Sequence, residues 1–110
     1  MIPFETLAQR PLGIDVFDGD GTVTWSNVQA SGIQFAWTKC SEGAAATNSS
    51  YSYNMTNARA AGIYIGAYHR ARYDIDFGTN GADLEAAYFW TNAKTYVQGG
   101  FGYLMPMLDL

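Results

Sequence analysis

The stretch "IQFAWTKCSEGAAATNSSYSYNMTNARAAGIYIGAYH" (residues 33–69) has a strand–helix–strand pattern, and this pattern decides the fold. β-branched and aromatic residues dominate 33–40 and 63–69, which predicts a strand at each end. Between them, apolar residues recur at i, i+4 and i+7, which predicts a helix over 50–61 that Gly62 ends. The residues of that helical face are Tyr51, Met55 and Ala58. A helical crossover of this length joins parallel strands, so the stretch predicts a parallel βαβ unit.

The same alternation continues on both sides of this unit. Upstream, "GIDVF" (13–17) is typical of a short strand, "DGDG" (18–21) of a turn, and "TWSNVQASG" (24–32) of a helix. Downstream, "GADLEAAYFWTNAKTYV" (81–97) predicts the longest helix and "YLMPMLDL" (103–110) a fourth strand. The resulting order is βαβαβαβ.

The helices are expected to pack on the sheet through their apolar faces. In the longest helix that face is predicted to carry Leu84, Tyr88 and either Thr91 or Thr95, and Trp25 and Trp90 are expected in the core. The predicted fold class is therefore α/β, with four parallel strands. This pattern fits either a small open sheet or the first half of a TIM-like (β/α) barrel, and the pattern alone does not separate the two.

Composition limits the classes of function. With 110 residues, 48% apolar and 15% charged, the chain is long enough for one folded domain, predicted at 12–110 after an N-terminal lead at 1–11. The net charge is −4 and the six basic residues are scattered, which argues against a nucleic-acid surface. No apolar run approaches the roughly 20 residues of a membrane span, and no signal peptide is visible. We therefore expect neither a nucleic-acid nor a membrane partner.

No metal or other cofactor is predicted. One cysteine and one histidine exclude a zinc site built only from His and Cys ligands. The acidic "DGDG" turn after the first strand would repel the phosphate of a nucleotide. Cys40 is expected to be a small buried apolar residue.

Polar side chains stand at the C-terminal end of every predicted strand, which is where parallel α/β folds place their active sites. The residues are Asp15, Asp18 and Asp20; Lys39 and Glu42; Tyr68, His69, Arg70 and Arg72; and Asp109. Four strands with polar ends on one rim indicate a functional site there.

Each of these residues also has a structural interpretation. Asp15 could bond a neighbouring backbone N–H group, and Asp18 and Asp20 could form a turn. Lys39 and Glu42 could be a solvated pair in a loop. No nucleophilic serine is marked in the sequence, so His69 is better explained as a structural or substrate-contacting residue than as a general base.

Four segments together resemble glycoside hydrolase family 25, the Chalaropsis-type lysozymes. They are "GIDV" (13–16), "KCSEG" (39–43), "GAYHRAR" (66–72) and "PMLDL" (106–110). The resemblance implies the first four strands of a β/α barrel of roughly twice this length. It implies cleavage of the β-1,4 bond between N-acetylmuramic acid and N-acetylglucosamine in peptidoglycan. By position, it implies that Asp15 and Asp109 are catalytic and that Glu42, Tyr68 and His69 bind substrate.

The sequence also departs from the family pattern. Residues 17–20, "FDGD", replace a polar groove segment, Arg70 stands where an aromatic residue is usual, and Tyr73 stands where a proline is usual. The family motif that begins at Asp109 continues to a glutamate, the proposed general acid, at what would be position 111. We therefore expect the 110-residue chain alone to lack the proton donor and to be inactive.

Other interpretations stay open at this stage. The chain could be a non-catalytic module that binds peptidoglycan or another sugar, or an unrelated small α/β protein. The resemblance implies that glycan strands of peptidoglycan are the partner and that the parent protein is extracellular or directed to the cell wall. An isolated half barrel has open sheet edges, so self-association is expected.

Overall fold

The computed structural model describes residues 10–110, so most of the predicted lead at 1–11 lies outside the described residues. The strands are β1 (Leu12–Val16), β2 (Ile33–Glu42), β3 (Ala46–Thr47), β4 (Tyr64–Arg70) and β5 (Met107–Asp109). The α-helices are α1 (Trp25–Ala30), α2 (Tyr51–Ala60) and α3 (Gly81–Ala93), and a short 3-10 helix covers Asp18–Asp20.

The four predicted strands form one parallel sheet in the order β1-β2-β4-β5. Consecutive parallel strands are neighbours, and each is joined to the next through a helix. The predicted βαβαβαβ order is therefore confirmed. The sequence pattern missed β3, a two-residue strand that pairs antiparallel with the end of β2.

The described helices all pack on one face of this sheet. The core there consists of small and branched residues of β2 and β4, such as Ala36, Ile65 and Ala67, each with no exposed surface. Trp25 of α1 and Met55 of α2 complete it, which confirms the core position predicted for Trp25. A doubly wound open sheet carries helices on both faces, whereas a barrel carries them only outside. The packing therefore supports the half-barrel alternative.

The other face of the sheet, called the open face below, has no helix on it. Aromatic rings of β2 lie across it: Phe35 occupies the space where Gly13 would carry a Cβ, and Trp37 does the same over Gly66. The indole N–H of Trp37 donates to the carbonyl oxygen of Met105 at 2.9 Å. A side chain at Gly13 or Gly66 would displace these rings, since an added Cβ would overlap the Phe35 ring or come within 2.8 Å of the Trp37 ring.

The buried face of α3 differs from the predicted one. Leu84 is 60% exposed and Trp90 is 51% exposed, whereas Glu85 is only 6% exposed. The face on the sheet follows an i, i+4 row through Gly81, Glu85, Phe89 and Ala93. The prediction was wrong because the row on the sheet contains a glutamate, which an apolar pattern assigns to solvent.

Within residues 10–110, no helix has the length and apolar character needed to cross a membrane. β1 and β5 are the edge strands of the sheet. Whether the chain self-associates through these edges stays a prediction.

Candidate functional site

Three of the five predicted site residues meet on the open face. Asp15 of β1, Tyr68 of β4 and Asp109 of β5 line one cleft of about 290 Å³, with Met107 and Leu108 beside them. Alternation along the strands explains this, because Ile14 and Val16 pack toward the helices while Asp15 between them is exposed. On β5, Asp109 pairs in register with Arg70 and therefore faces the same side as Tyr68.

The cleft is acidic around a protonated phenol. Partial burial, together with the negative charges of Asp15, Asp109 and Asp20, raises the pKa of Tyr68 to about 12. Tyr68 is therefore a neutral hydroxyl at physiological pH, able to donate a hydrogen bond to a carboxylate or to a ligand oxygen. The carboxylates of Asp15 and Asp109 provide acceptor groups beside it.

The "DGD" segment adopts the turn that its glycine-rich composition indicates. The Asp20 carboxylate accepts a hydrogen bond from the backbone N–H of Phe17 at 3.0 Å, and the Asp18 carboxylate accepts one from the Ser49 hydroxyl at 3.1 Å. The 3-10 helix over Asp18–Asp20 confirms the turn interpretation for both residues. Asp20 also adds its charge to the field at Tyr68.

Glu42 faces the open side because β2 is irregular just before it. The register with β4 shifts between Lys39 and Ser41, and this extra residue brings Lys39 and Glu42 to the same face despite their odd spacing. Lys39 donates to Glu42 at 2.5 Å and Arg72 donates to it at 2.9 Å. These two hydrogen bonds, from Lys39 first and Arg72 second, lower the pKa of Glu42. Glu42 is thus an ionised carboxylate with both oxygens engaged, and it lies outside the cleft of Asp15, Tyr68 and Asp109.

His69 lies on the opposite face of β4 and does not line the cleft of Asp15, Tyr68 and Asp109, so its predicted contact with substrate stays a prediction. Its Nδ1 atom is 2.8 Å from the Ser41 hydroxyl, and its Nε2 atom is 2.7 Å from the Glu85 carboxylate. The ring is 5% exposed and packs edge-on against Phe89. The physical reason is strand parity, since successive side chains of a strand point to opposite faces.

Glu85 is a structurally important residue that the sequence analysis did not identify. Its burial alone would raise its pKa, but hydrogen bonds from His69 and from the backbone N–H of Arg72 outweigh burial and leave the pKa lowered. The two Glu85 oxygens are 3.1 and 3.2 Å from that N–H group. Glu85 therefore ties α3 to the segment after β4, from which the side chain of Arg72 reaches Glu42. A possible signal was its i+4 spacing to Gly81 and Phe89.

The structure also bears on the environment of Cys40 and on metal binding. Cys40 is 1% exposed, as predicted, and burial raises the pKa of its thiol to about 11. In the part of the chain that the structure describes, no three His, Cys, Asp or Glu side chains are grouped so that they could hold a metal ion.

The sequence of the chain matches a known protein family. The family model of glycosyl hydrolases family 25 matches residues 14–110. Lysozyme M1 of Streptomyces globisporus is 44% identical over 75 residues, which is 68% of this chain and 26% of that protein. The chain thus spans about a quarter of the length of this relative.

Solved structures agree with the sequence comparison. A bacterial lysozyme from Streptomyces coelicolor superposes with a TM-score of 0.79 at 34% identity, over 92% of this chain and 45% of that one. A family 25 glycosyl hydrolase from Bacillus anthracis gives a TM-score of 0.78 at 27% identity, over 94% of this chain and 43% of that one. The match of nearly all of this chain to less than half of each structure confirms the predicted half barrel.

Proposed function

Because the chain belongs to glycosyl hydrolases family 25, we propose that it forms part of a lysozyme-type enzyme that cleaves peptidoglycan. The bond cleaved is the β-1,4 linkage between N-acetylmuramic acid and N-acetylglucosamine. The observation that carries this proposal is the meeting of Asp15, Tyr68 and Asp109 in one cleft on the open face. Peptidoglycan as substrate places the action of the parent protein at the cell wall, outside the cytoplasm.

The two aspartates act as the charged groups of the site. Their carboxylates stabilise the positive charge that develops on the sugar ring during cleavage of a glycosidic bond. Tyr68 keeps its proton and donates a hydrogen bond, either to one of these carboxylates or to the glycan.

The proton donor is assigned to the position two residues after Asp109. Residues separated by two along a strand share a face, so a carboxyl there would lie beside Asp109, with the two Cα atoms roughly 6.5–7 Å apart. The negative charges of Asp15 and Asp109 would favour its protonated form, as a general acid requires.

Glu42 belongs to the wall of the glycan-binding surface. Lys39 and Arg72 hold its carboxylate in one orientation, and it shares the open face with Tyr68. Since both oxygens are already engaged, Glu42 accepts further hydrogen bonds from sugar hydroxyls rather than transferring a proton.

Binding of purified peptidoglycan tests the proposal directly. The 110-residue chain is expected to co-sediment with insoluble peptidoglycan, and the double variant Asp15→Asn/Tyr68→Ala is expected to bind at least several-fold less. Lys94→Gln, an exposed substitution at the end of α3, serves as the control for general surface charge. Equal sedimentation of all three proteins would contradict the proposed site.

Release of reducing sugar ends tests the assignment of the proton donor. We expect the 110-residue chain to bind peptidoglycan without releasing reducing ends, because the donor is assigned beyond Asp109. Hydrolysis by the pure chain, abolished by Asp20→Asn, would move the donor to the first turn and contradict this assignment.

A further inference from the structure

A second cleft of about 540 Å³ adjoins the end of β4. Arg70, Arg72, Tyr73 and Glu42 contribute to its walls. It differs from the cleft of Asp15, Tyr68 and Asp109 in charge, because its walls carry two arginines beside the carboxylates of Glu42 and Asp74. The candidate site therefore has an acidic part and a part of mixed charge along the same strand.

The two arginines are used differently. Arg72 donates to Glu42 at 2.9 Å and to Asp74 at 2.8 Å, so its guanidinium is engaged within the protein. Arg70 is exposed and makes no side-chain hydrogen bond or ion pair with any other residue from 10 to 110. The five donors of its guanidinium are thus available to a ligand.

Strand register fixes the backbone position and the face of Arg70. Arg70 is paired with Glu42 on β2 and with Asp109 on β5, and it shares the open face with Tyr68 two residues earlier. The Cα atoms of Arg70 and Tyr68 are therefore about 6.5–7 Å apart. A substituent on a sugar bound at Tyr68 can reach Arg70.

Charge and shape together indicate the chemistry of that substituent. A cleft containing Asp15 and Asp109 repels an anionic glycan, and a free arginine next to it offsets this repulsion. A guanidinium binds a carboxylate through two parallel hydrogen bonds. Tyr73, whose side chain is 70% exposed on the same cleft, offers a flat ring beside the cation.

We propose that Arg70 is a specificity-determining residue that binds a carboxylate carried by the muramic acid residue of the glycan. This inference rests on the proposed function, because it takes the glycan to be bound at Tyr68. The carboxylate comes either from the lactyl group itself or from the peptide attached to it. A glycan made only of N-acetylglucosamine has neither group and does not use Arg70.

Titrations followed by NMR test this assignment with four probes on the full 110-residue chain. The anionic probes are the N-acetylglucosamine–N-acetylmuramic acid disaccharide, which has a free lactyl carboxylate, and the same disaccharide with its lactyl group amidated to a dipeptide. The neutral probes are the disaccharide with its lactyl carboxylate converted to a primary amide, and chitobiose. The proteins are wild type, Arg70→Gln, Arg70→Lys and the charge control Lys94→Gln.

We expect Arg70→Gln to weaken binding of an anionic probe about tenfold and to leave the neutral probes unchanged. Loss confined to the first anionic probe assigns the lactyl carboxylate, and loss confined to the dipeptide probe assigns the peptide. Arg70→Lys is expected to recover part of the affinity, because it keeps the charge without the planar fork. Lys94→Gln is expected to behave as wild type.

Two results would overturn the assignment in different ways. If wild type binds the glycans but Arg70→Gln affects anionic and neutral probes equally, the role of Arg70 is wrong while the proposed function stands. If wild type binds none of the probes at millimolar concentration, the proposed function fails, and the role of Arg70 fails with it.

Discussion

The two faces of β4 differ in what their residues do. Toward the helices, Ile65 and Ala67 have no exposed surface and His69 is 5% exposed. Toward the open face, Tyr68 lines the acidic cleft and Arg70 lines the second cleft, of mixed charge. Residues that are adjacent in sequence therefore belong to different parts of the molecule, one that holds the sheet on its helices and one that is available to ligands. In the motif "YHR", strand parity therefore separates the residues that can contact a ligand from the one that packs toward the helices.

The largest expected effect on stability comes from removing the buried contact between His69 and Glu85. We expect His69→Ala to lower the free energy of unfolding by about 3–5 kcal/mol, because it leaves the Glu85 carboxylate buried without its side-chain partner. Arg70→Ala, the neighbouring change on the open face, is expected to alter it by about 0.5 kcal/mol or less. Urea denaturation measures both, and equal effects would contradict the division between the faces.

The pH dependence of stability also distinguishes the buried contacts from those on the open face. The pKa of Glu85 lies below its ordinary value of 4.5, so its ionised form stabilises the native state above that pH and loses this contribution as pH falls through the lowered pKa. Wild type is therefore expected to lose stability below about pH 4.5 more steeply than Glu85→Gln does. Glu42→Gln is the matched change on the open face.

The pKa of Glu42 is also lowered, and stability from its ionised form is likewise lost on acidification. Its contribution is expected to be smaller, because its partly exposed ion pairs are screened by water. If Glu42→Gln changed the loss of stability at low pH more than Glu85→Gln did, the buried contacts of Glu85 would not be the ones that stabilise the fold. Denaturation curves between pH 3 and 7 provide the measurement.

A smaller effect is expected from the hydroxyl of Tyr68. Tyr68→Phe is expected to change the free energy of unfolding by about 0.5 kcal/mol or less and to weaken glycan binding by about tenfold at most, the value of one hydrogen bond. Calorimetric titration with a disaccharide measures the affinity, and thermal melting measures the stability. A large loss of stability with unchanged affinity would show that Tyr68 has a structural role instead.

The smallest expected effect is on an ionisation constant. Asp15→Asn removes one of the charges that raise the pKa of Tyr68, so that pKa should move from about 12 toward its ordinary value of 10. Asp18→Asn is the matched control, since the Asp18 carboxylate is bonded to Ser49 and is not among the charges that act on Tyr68. Titration of the tyrosine ring carbon by NMR distinguishes the two variants.

Much of the fold could be predicted from local sequence patterns. Strand-forming runs, helix spacing and the glycines after the helices defined the order of elements, and Asp15, Tyr68 and Asp109 could be assigned to one rim because parallel strands share a polarity. Alternation also contained the information that His69 and Tyr68 face opposite sides.

Other features depend on long-range packing that a local pattern does not contain. The buried row of α3 includes Glu85, which is tolerated only because His69 and the backbone N–H of Arg72 satisfy it. The irregularity near Ser41 reverses the face of Glu42, and it depends on pairing with both β3 and β4. The packing of all described helices on one face, which separates a half barrel from an open sheet, becomes visible only in three dimensions.

The most direct test is a backbone amide NMR titration of the 110-residue chain with the disaccharide of N-acetylglucosamine and N-acetylmuramic acid. The account predicts shift changes that concentrate at Asp15, Tyr68, Arg70 and Asp109, with Ile65 and Ala67 nearly unaffected. Changes centred on α2 and α3, or none at millimolar disaccharide, would contradict the claim that the open face binds glycan.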